Sequence, residues 1–372
     1  MGYLEAGEAI IYGRYVEGVR IRHVIDEYYD LVVIPGFSDG HMHPQVVDAG
    51  LEPGVLWRHS YEWFENRRLV VDEAGIRSDL KLSSMLASLV FKRSLLEGTT
   101  LVAVTGRLEA NLRAWLSLRE KPRTVFLPTV MKRRGWASVS EVSDVAQRYV
   151  KYLDDGLARI GVFVHSVRYG ASMLRDALLL AKRLGSVVGI HVSEGIREME
   201  ELARLAGGPP YPARIVGVHC MEDEDPAYYG VTCISCPYSN HLLYRRTRRS
   251  ISGITGFGSD WPLLVGSVGS HIKMITSLFK EDPVGILKRA TMGGYKAYGM
   301  RHQGDMVAID GGLRRLLEGR ARVRLVTVNN RLVVREGRLV STGESLKDVT
   351  RKIQAAIMQA KHLYPAKQVV KG

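Results

Sequence analysis

Eight short runs rich in β-branched and apolar residues recur between residues 31 and 260, with longer helical stretches between many of them. They are LVVIPGF (31–37), TLVAVT (100–105), RTVFLPTV (123–130), RIGVFVHS (159–166), SVVGIHVS (186–193), RIVGVHC (214–220), VTCIS (231–235) and ITGFGSD (254–260). Strands alternating with amphipathic helices are the rhythm of βα units around a parallel sheet, and eight such strands close a barrel. The expectation is an α/β chain with a (β/α)8 TIM barrel over about 34–302. The interval DLKLSSMLASLVFKRSLLEG (79–98) shows the helical part of the rhythm: Leu82, Met85, Leu86, Leu89 and Val90 share one face, and Gly98 suits a C-terminal stop.

Both ends of the chain depart from this rhythm. Residues 1–33 and 303–345 read as short strands and turns, including RLVVREGRLV, where Glu336-Gly337 joins two alternating runs as a hairpin. Pieces at opposite ends can pair, so a small β-sandwich domain built from both is expected beside the barrel. Residues 346–372 read as a helix (LKDVTRKIQAAIMQAKHL) followed by a basic tail, a packing or oligomer surface, and a homo-oligomer is expected.

Composition narrows the function classes. No apolar stretch approaches the roughly 18 uncharged residues of a membrane span, and the N-terminus has no secretory signal pattern. Three cysteines, Cys220, Cys233 and Cys236, cannot make a disulfide framework, and the single Cys233-Ile-Ser-Cys236 pair is weak as a zinc or redox motif. A cytoplasmic protein is the expectation. The net charge of +13 is spread over short clusters, such as Lys132 to Arg134 and Arg245 to Arg249, with no aromatic-rich motif around them. Neither nucleic acid nor membrane is therefore an expected partner; the arginine cluster reads as a solvated rim or an anion-attracting mouth.

Chemistry is carried by residues at the carboxyl ends of the strands. His41 and His43 follow the first run two positions apart, so they point the same way. His191, His219 and Asp260 end the fifth, sixth and eighth runs. In a (β/α)8 barrel these ends converge on the face where active sites are built. Imidazoles and a carboxylate suit Zn²⁺ or Fe²⁺ with a position left open for water. One histidine on a strand is ordinarily a satisfied core residue; four, with an aspartate, all at the same end, are not readily coincidental. The other histidines, His23, His59, His241, His271, His302 and His362, share no such placement.

PGFSDGHMH (35–43), LLEGTT (95–100), HVSE (191–194), VHC (218–220), CPYSN (236–240), GSD (258–260) and LKRATMGGYKAYGM (287–300), taken in order with VNNRLVVREGRL (328–339), resemble the amidohydrolase superfamily. Within it, HxxE and PxSN resemble the mononuclear branch of cytosine, guanine and adenosylhomocysteine or methylthioadenosine deaminases and triazine chlorohydrolases.

The resemblance implies that His41, His43, His191 and Asp260 ligate one divalent ion, Zn²⁺ or Fe²⁺. It implies Glu194 as proton shuttle, His219 as the residue that holds the attacking water or polarises the substrate, and Asp260 as acceptor of that water's proton. The fourth run lacks the lysine that bridges two metals in binuclear members, so a single ion is expected. The implied reaction is hydrolytic deamination of a nucleobase, nucleoside or similar heterocycle; the alternative is cleavage of a cyclic amide or imide, or of a carbon–chlorine bond. Candidate substrate contacts are Trp57 and Glu65 for stacking on and binding a base, His165 against a ribose, and Arg168 with Tyr169 or Gln45 as loose matches to guanine-binding positions. Two departures stand out: the chain is short for the family, and HLLYRRTRRS follows CPYSN where a glycine-bearing apolar stretch is usual.

Overall fold

Gly36 divides what the sequence presents as one strand. A Cβ at this position would lie 2.1 Å from Thr100 Oγ1, so only glycine permits the approach. Before it, Leu31–Pro35 pairs antiparallel with Met306–Asp310; after it, Phe37–Met42 pairs parallel with Thr99–Val104. The first expected run therefore serves two sheets. The computed structural model describes residues 2–11, 14–23, 31–133, 135–153 and 156–366, the first two segments by backbone only. The tail expected beyond 366 lies outside the described residues.

The fold is mixed α/β with parallel sheets. One sheet has four strands in the order Phe37–Met42, Thr99–Val104, Arg123–Phe126 and Ala158–Ile160. A second has six, in the order Gly256–Phe257, Val231–Ser235, Arg214–His219, Val187–Val192, Val162–Ser166 and Thr129–Val130. The two meet at both margins: Met42 bridges Asp260 in parallel, and the Gly161 and Phe163 amides donate to the Phe126 and Pro128 carbonyls at 2.8 and 2.9 Å. Pro128, which has no amide hydrogen to donate, interrupts the expected run 123–130.

Alternation along these strands separates two buried clusters. Leu101 and Ala103 pack with Val125, Leu127, Phe163 and Ile234, whereas Val102 and Val104 belong with helical residues such as Leu86 and Val90. Burial on both faces explains why the runs are almost uninterruptedly apolar. The helix expected at 79–98 spans Leu80–Leu96; the Asp79 side chain accepts from the Leu82 amide at 2.9 Å, and Gly98 follows at φ +81°.

Both chain ends enter one seven-stranded sheet in which Leu31–Pro35 lies between Met306–Asp310 and Gly2–Ile11. Its far margin is the hairpin Arg331–Arg335 and Arg338–Leu339, turned through left-handed Glu336 and Gly337. The helix Leu346–Leu363 begins at a capping box made by Ser345 and Asp348. Among the described residues no helix is long and apolar enough to cross a membrane.

Candidate metal centre

Asp260 and the His41–His43 pair are held to one another through their backbones. The Asp260 amide donates to the His41 carbonyl at 3.0 Å, and the His43 amide to the Asp260 carbonyl at 2.7 Å. Beneath them the buried Asp39 carboxylate accepts from the amides of Ser259 at 2.9 Å and Val268 at 3.2 Å, tying the strand that carries His41 to the segment that carries Asp260. Burial pushes the Asp39 carboxyl up to about 7. His219 and Asp260 leave their strands in the left-handed region, at φ 75° and 67°, a conformation unfavourable for side chains other than glycine's that here turns both inward.

Four groups predicted as ligands come together. His41 Nε2 lies 3.0 Å from His43 Nε2, 3.2 Å from His191 Nε2 and 3.6 Å from Asp260 Oδ1; His43 Nε2 lies 3.3 Å from the same oxygen. A tetrahedral set at the Zn–N and Zn–O distances of about 2.0–2.1 Å has ligand separations of about 3.3–3.4 Å, within this observed spread. Two of the remaining ring nitrogens are engaged outside the cluster, whereas His41 Nδ1 is buried without a hydrogen-bond partner among the described residues. His191 Nδ1 donates to the His165 carbonyl at 2.7 Å, which leaves its Nε2 lone pair directed at the cluster, and His43 Nδ1 meets Thr105 Oγ1 at 2.7 Å. Burial lowers the pKa of His41, His43 and His191, so all three rings are neutral. Burial pushes Asp260 upward, but the hydrogen bond from His41 and the nearness of the His43 imidazole hold it below the usual carboxylate range. Three neutral imidazoles and one ionised carboxylate are a donor set that fits Zn²⁺.

Two further polar residues face this cluster. His219 Nδ1 lies 2.8 Å from Asn240 Oδ1, so it carries the hydrogen and Nε2 is left as an acceptor, 3.5 Å from Glu194 Oε2. The Tyr244 hydroxyl donates to Glu194 Oε1 at 2.7 Å. Burial raises the Glu194 pKa, which favours the protonated carboxyl. A buried acid therefore stands beside an imidazole acceptor and an ionised carboxylate, an arrangement suited to moving protons.

His43, His191, Glu194, His219 and Asp260 line one end of a cavity. Its other walls include Tyr61, Trp63, Phe64, Arg67, Arg77, Trp136, His165 and Tyr169. Of the predicted substrate contacts, His165 and Tyr169 line the cavity. Trp57, Glu65, Arg168 and Gln45 stand outside the lining: Trp57 packs against an apolar cluster with Leu243, Tyr244 and Trp261, and Glu65 pairs with Arg168 at 3.3 Å and with the Tyr169 hydroxyl. Gln45 donates to Asn111 Oδ1 at 2.7 Å. In the arginine cluster, Arg246 pairs with Glu222 at 2.8 Å and Arg248 donates to the carbonyls of Glu222 and Glu224, both at 3.0 Å.

Tyr61, Phe64, Arg67, Arg77, Trp136 and Tyr244 went unnoticed in the sequence. They sit on helices and loops, where no period announces that a side chain faces the mouth; the aromatic-rich SYEWFEN after the first strand was the one available signal.

No family model matches the chain. A curated protein, the 5-methylthioadenosine/S-adenosylhomocysteine deaminase of Caldanaerobacter subterraneus subsp. tengcongensis, is 22% identical over 76% of this chain and 74% of its own. Among solved structures, an adenosine deaminase from Xanthomonas campestris with bound zinc matches with a TM-score of 0.77 at 16% identity, covering 97% of this chain and 98% of that one. Atrazine chlorohydrolase from Arthrobacter aurescens TC1, complexed with zinc, matches with a TM-score of 0.67 at 17% identity, covering 96% and 100%. The two solved structures cover nearly its whole length, and the chain shares the fold of these zinc-bound deaminase and chlorohydrolase structures.

Proposed function

We propose that the protein is a metal-dependent hydrolytic deaminase that replaces an exocyclic amino group on a nucleobase, nucleoside or related N-heterocycle with oxygen and releases ammonia. The observation that carries this reading is the convergence of three imidazoles and an ionised carboxylate beside a buried Glu194, whose carboxyl pKa burial raises, at one aromatic-walled cavity. Likeness to a curated deaminase and to a zinc-bound adenosine deaminase supports it.

In this reading His41, His43, His191 and Asp260 hold one divalent ion, Zn²⁺ by its donor set, with Fe²⁺ as the alternative. When bound, the ion supplies a water acidified from 15.7 towards about 7, a nucleophile at neutral pH. Asp260, kept ionised, takes a proton from the attacking water. Glu194 gives its proton to the ring nitrogen beside the C–NH₂ carbon, which makes that carbon electrophilic. His219, its tautomer set by Asn240, directs its Nε2 acceptor at the attacking water or the substrate. Glu194, now a carboxylate, takes the proton of the added hydroxyl and passes it to the amine, which leaves as ammonia while the carbon keeps the oxygen of water as a carbonyl; the proton held by Asp260 then restores Glu194. The architecture in this reading is a (β/α)8 barrel over 34–302, supported by the contacts joining the parallel sheets at both margins. A small β-sandwich domain from 1–33 and 303–345 accompanies it, supported by the sheet that both chain ends share.

The test is Glu194→Gln in zinc-loaded protein. Ammonia release should fall about 10²–10⁴-fold while bound zinc is unchanged. Undiminished release, or a product formed by loss of chloride or opening of a cyclic amide, would refute deamination through Glu194.

A further inference from the structure

The cavity extends well beyond the metal-binding cluster. The His165 ring stands between its two ends, 5.4 Å from the His191 ring on one side and 4.8 and 5.7 Å from those of Phe64 and Trp136 on the other. Past it lie Arg67 and Arg77, both lining the cavity, with side chains only 8% and 11% exposed. Arg67 lies 4.4 Å over the Trp63 ring and Arg77 3.9 Å over the Trp136 ring, stacking that fixes both guanidinium planes. Arg133 reaches the same end, 4.9 Å over Phe64.

Among the described residues, charge is unbalanced here. Arg67 and Arg77 approach the same oxygen of one carboxylate, Glu73, at 2.8 and 3.6 Å. Near-buried cations in excess are costly unless a counter-charge reaches them. The forked donors of arginine match a planar carboxylate or a phosphate, and water excluded by the surrounding rings strengthens such a contact.

Resting on the deaminase reading for the metal end, we infer that the substrate carries an anionic group, a carboxylate or a phosphate, on the side of its heterocycle away from the reacting amine, and that Arg67 and Arg77 receive it. His165 is the uncharged ring against which the middle of such a substrate lies. The aminated ring and the anion are then read at opposite ends of one pocket.

The test separates the anion subsite from the reaction. Zinc-loaded full-length protein is titrated with inorganic phosphate and, separately, with acetate, following the fluorescence of the tryptophans that stack on the guanidiniums. A saturable response is expected with at least one anion, and the tighter of the two identifies the group. Arg67→Gln and Arg77→Gln should weaken it about tenfold or more. Glu73→Gln, which removes the competing carboxylate, should tighten it, a direction that damage to the fold would not produce. Absence of a saturable response, a response unaltered in both arginine variants, or weakening by Glu73→Gln would overturn the inference. In parallel, ammonia release is compared for adenosine, adenosine 5′-monophosphate and adenosine 5′-carboxylate, where the charged members should show the higher kcat/KM. Release from none of these while anion binding behaves as expected would count against the deaminase reading and leave the subsite standing.

Discussion

Thr105 sets the direction of His43 without being a ligand candidate itself: its hydroxyl meets His43 Nδ1 at 2.7 Å and also donates to the Met42 carbonyl at 3.0 Å. Thr105→Val should lower zinc affinity about 10–100-fold, measured by competition with a chromophoric chelator. Glu198 gives a second residue-level prediction. Its carboxyl accepts from the Tyr61 hydroxyl and from the Ser193 amide at 3.1 Å, and burial raises its pKa from 4.5 to about 7. The folded protein therefore binds more protons than the unfolded chain between these values, so this contribution is complete below about pH 4.5 and lost as pH rises through about 7. The loss is about 3 kcal/mol at most. Melting temperatures from pH 4.5 to 8 should fall in the wild type relative to Glu198→Gln, and parallel curves would refute the assignment. At this scale the five strand-end residues could be read from the sequence because their positions follow from the strand rhythm. Arg67 and Arg77 could not, because what marks them is that, among the described residues, both pair in space with the one carboxylate of Glu73.

At the scale of elements, the joint between the parallel sheets and the end sheet rests on Arg123, a residue the sequence offers as an ordinary strand start. It is 1% exposed and pairs with the buried Asp305 carboxylate. It also donates to the Gln303 carbonyl at 2.9 Å and to Asn329 Oδ1 at 3.2 Å, while the Tyr295 hydroxyl donates to Asp305 at 2.7 Å. Arg123→Ala strands the Asp305 charge and should cost about 3–5 kcal/mol by chemical denaturation. A loss below about 1 kcal/mol, as for an exposed pair, would show that the joint is not held this way. Most elements were legible, the C-terminal helix to the residue, because period and caps agree. The expected strand 31–37 was not, since its division at Gly36 depends on the distant Thr100. The last strand shrinks from the expected 254–260 to Gly256–Phe257. Gly258 is packed against His41 there, where a Cβ would lie 2.9 Å from the histidine's backbone nitrogen, and Asp260 turns left-handed.

Across the whole molecule, the +13 charge is put to different uses in different places. Arg248 braces carbonyls, Arg123 joins two parts of the fold, and Arg67 and Arg77 face the cavity. None of this could be read from a net charge. The central claim, that the histidine–aspartate cluster makes this fold a metal-dependent deaminase, is tested most directly by ammonia release from a panel of aminopurines, aminopyrimidines and their nucleosides, with zinc content measured on the same samples. The account predicts release from at least one compound that disappears when a chelator strips the zinc, returns when zinc is restored, and is absent, along with stoichiometric zinc, in His41→Ala. Ammonia release that survives both the chelator and His41→Ala would contradict it.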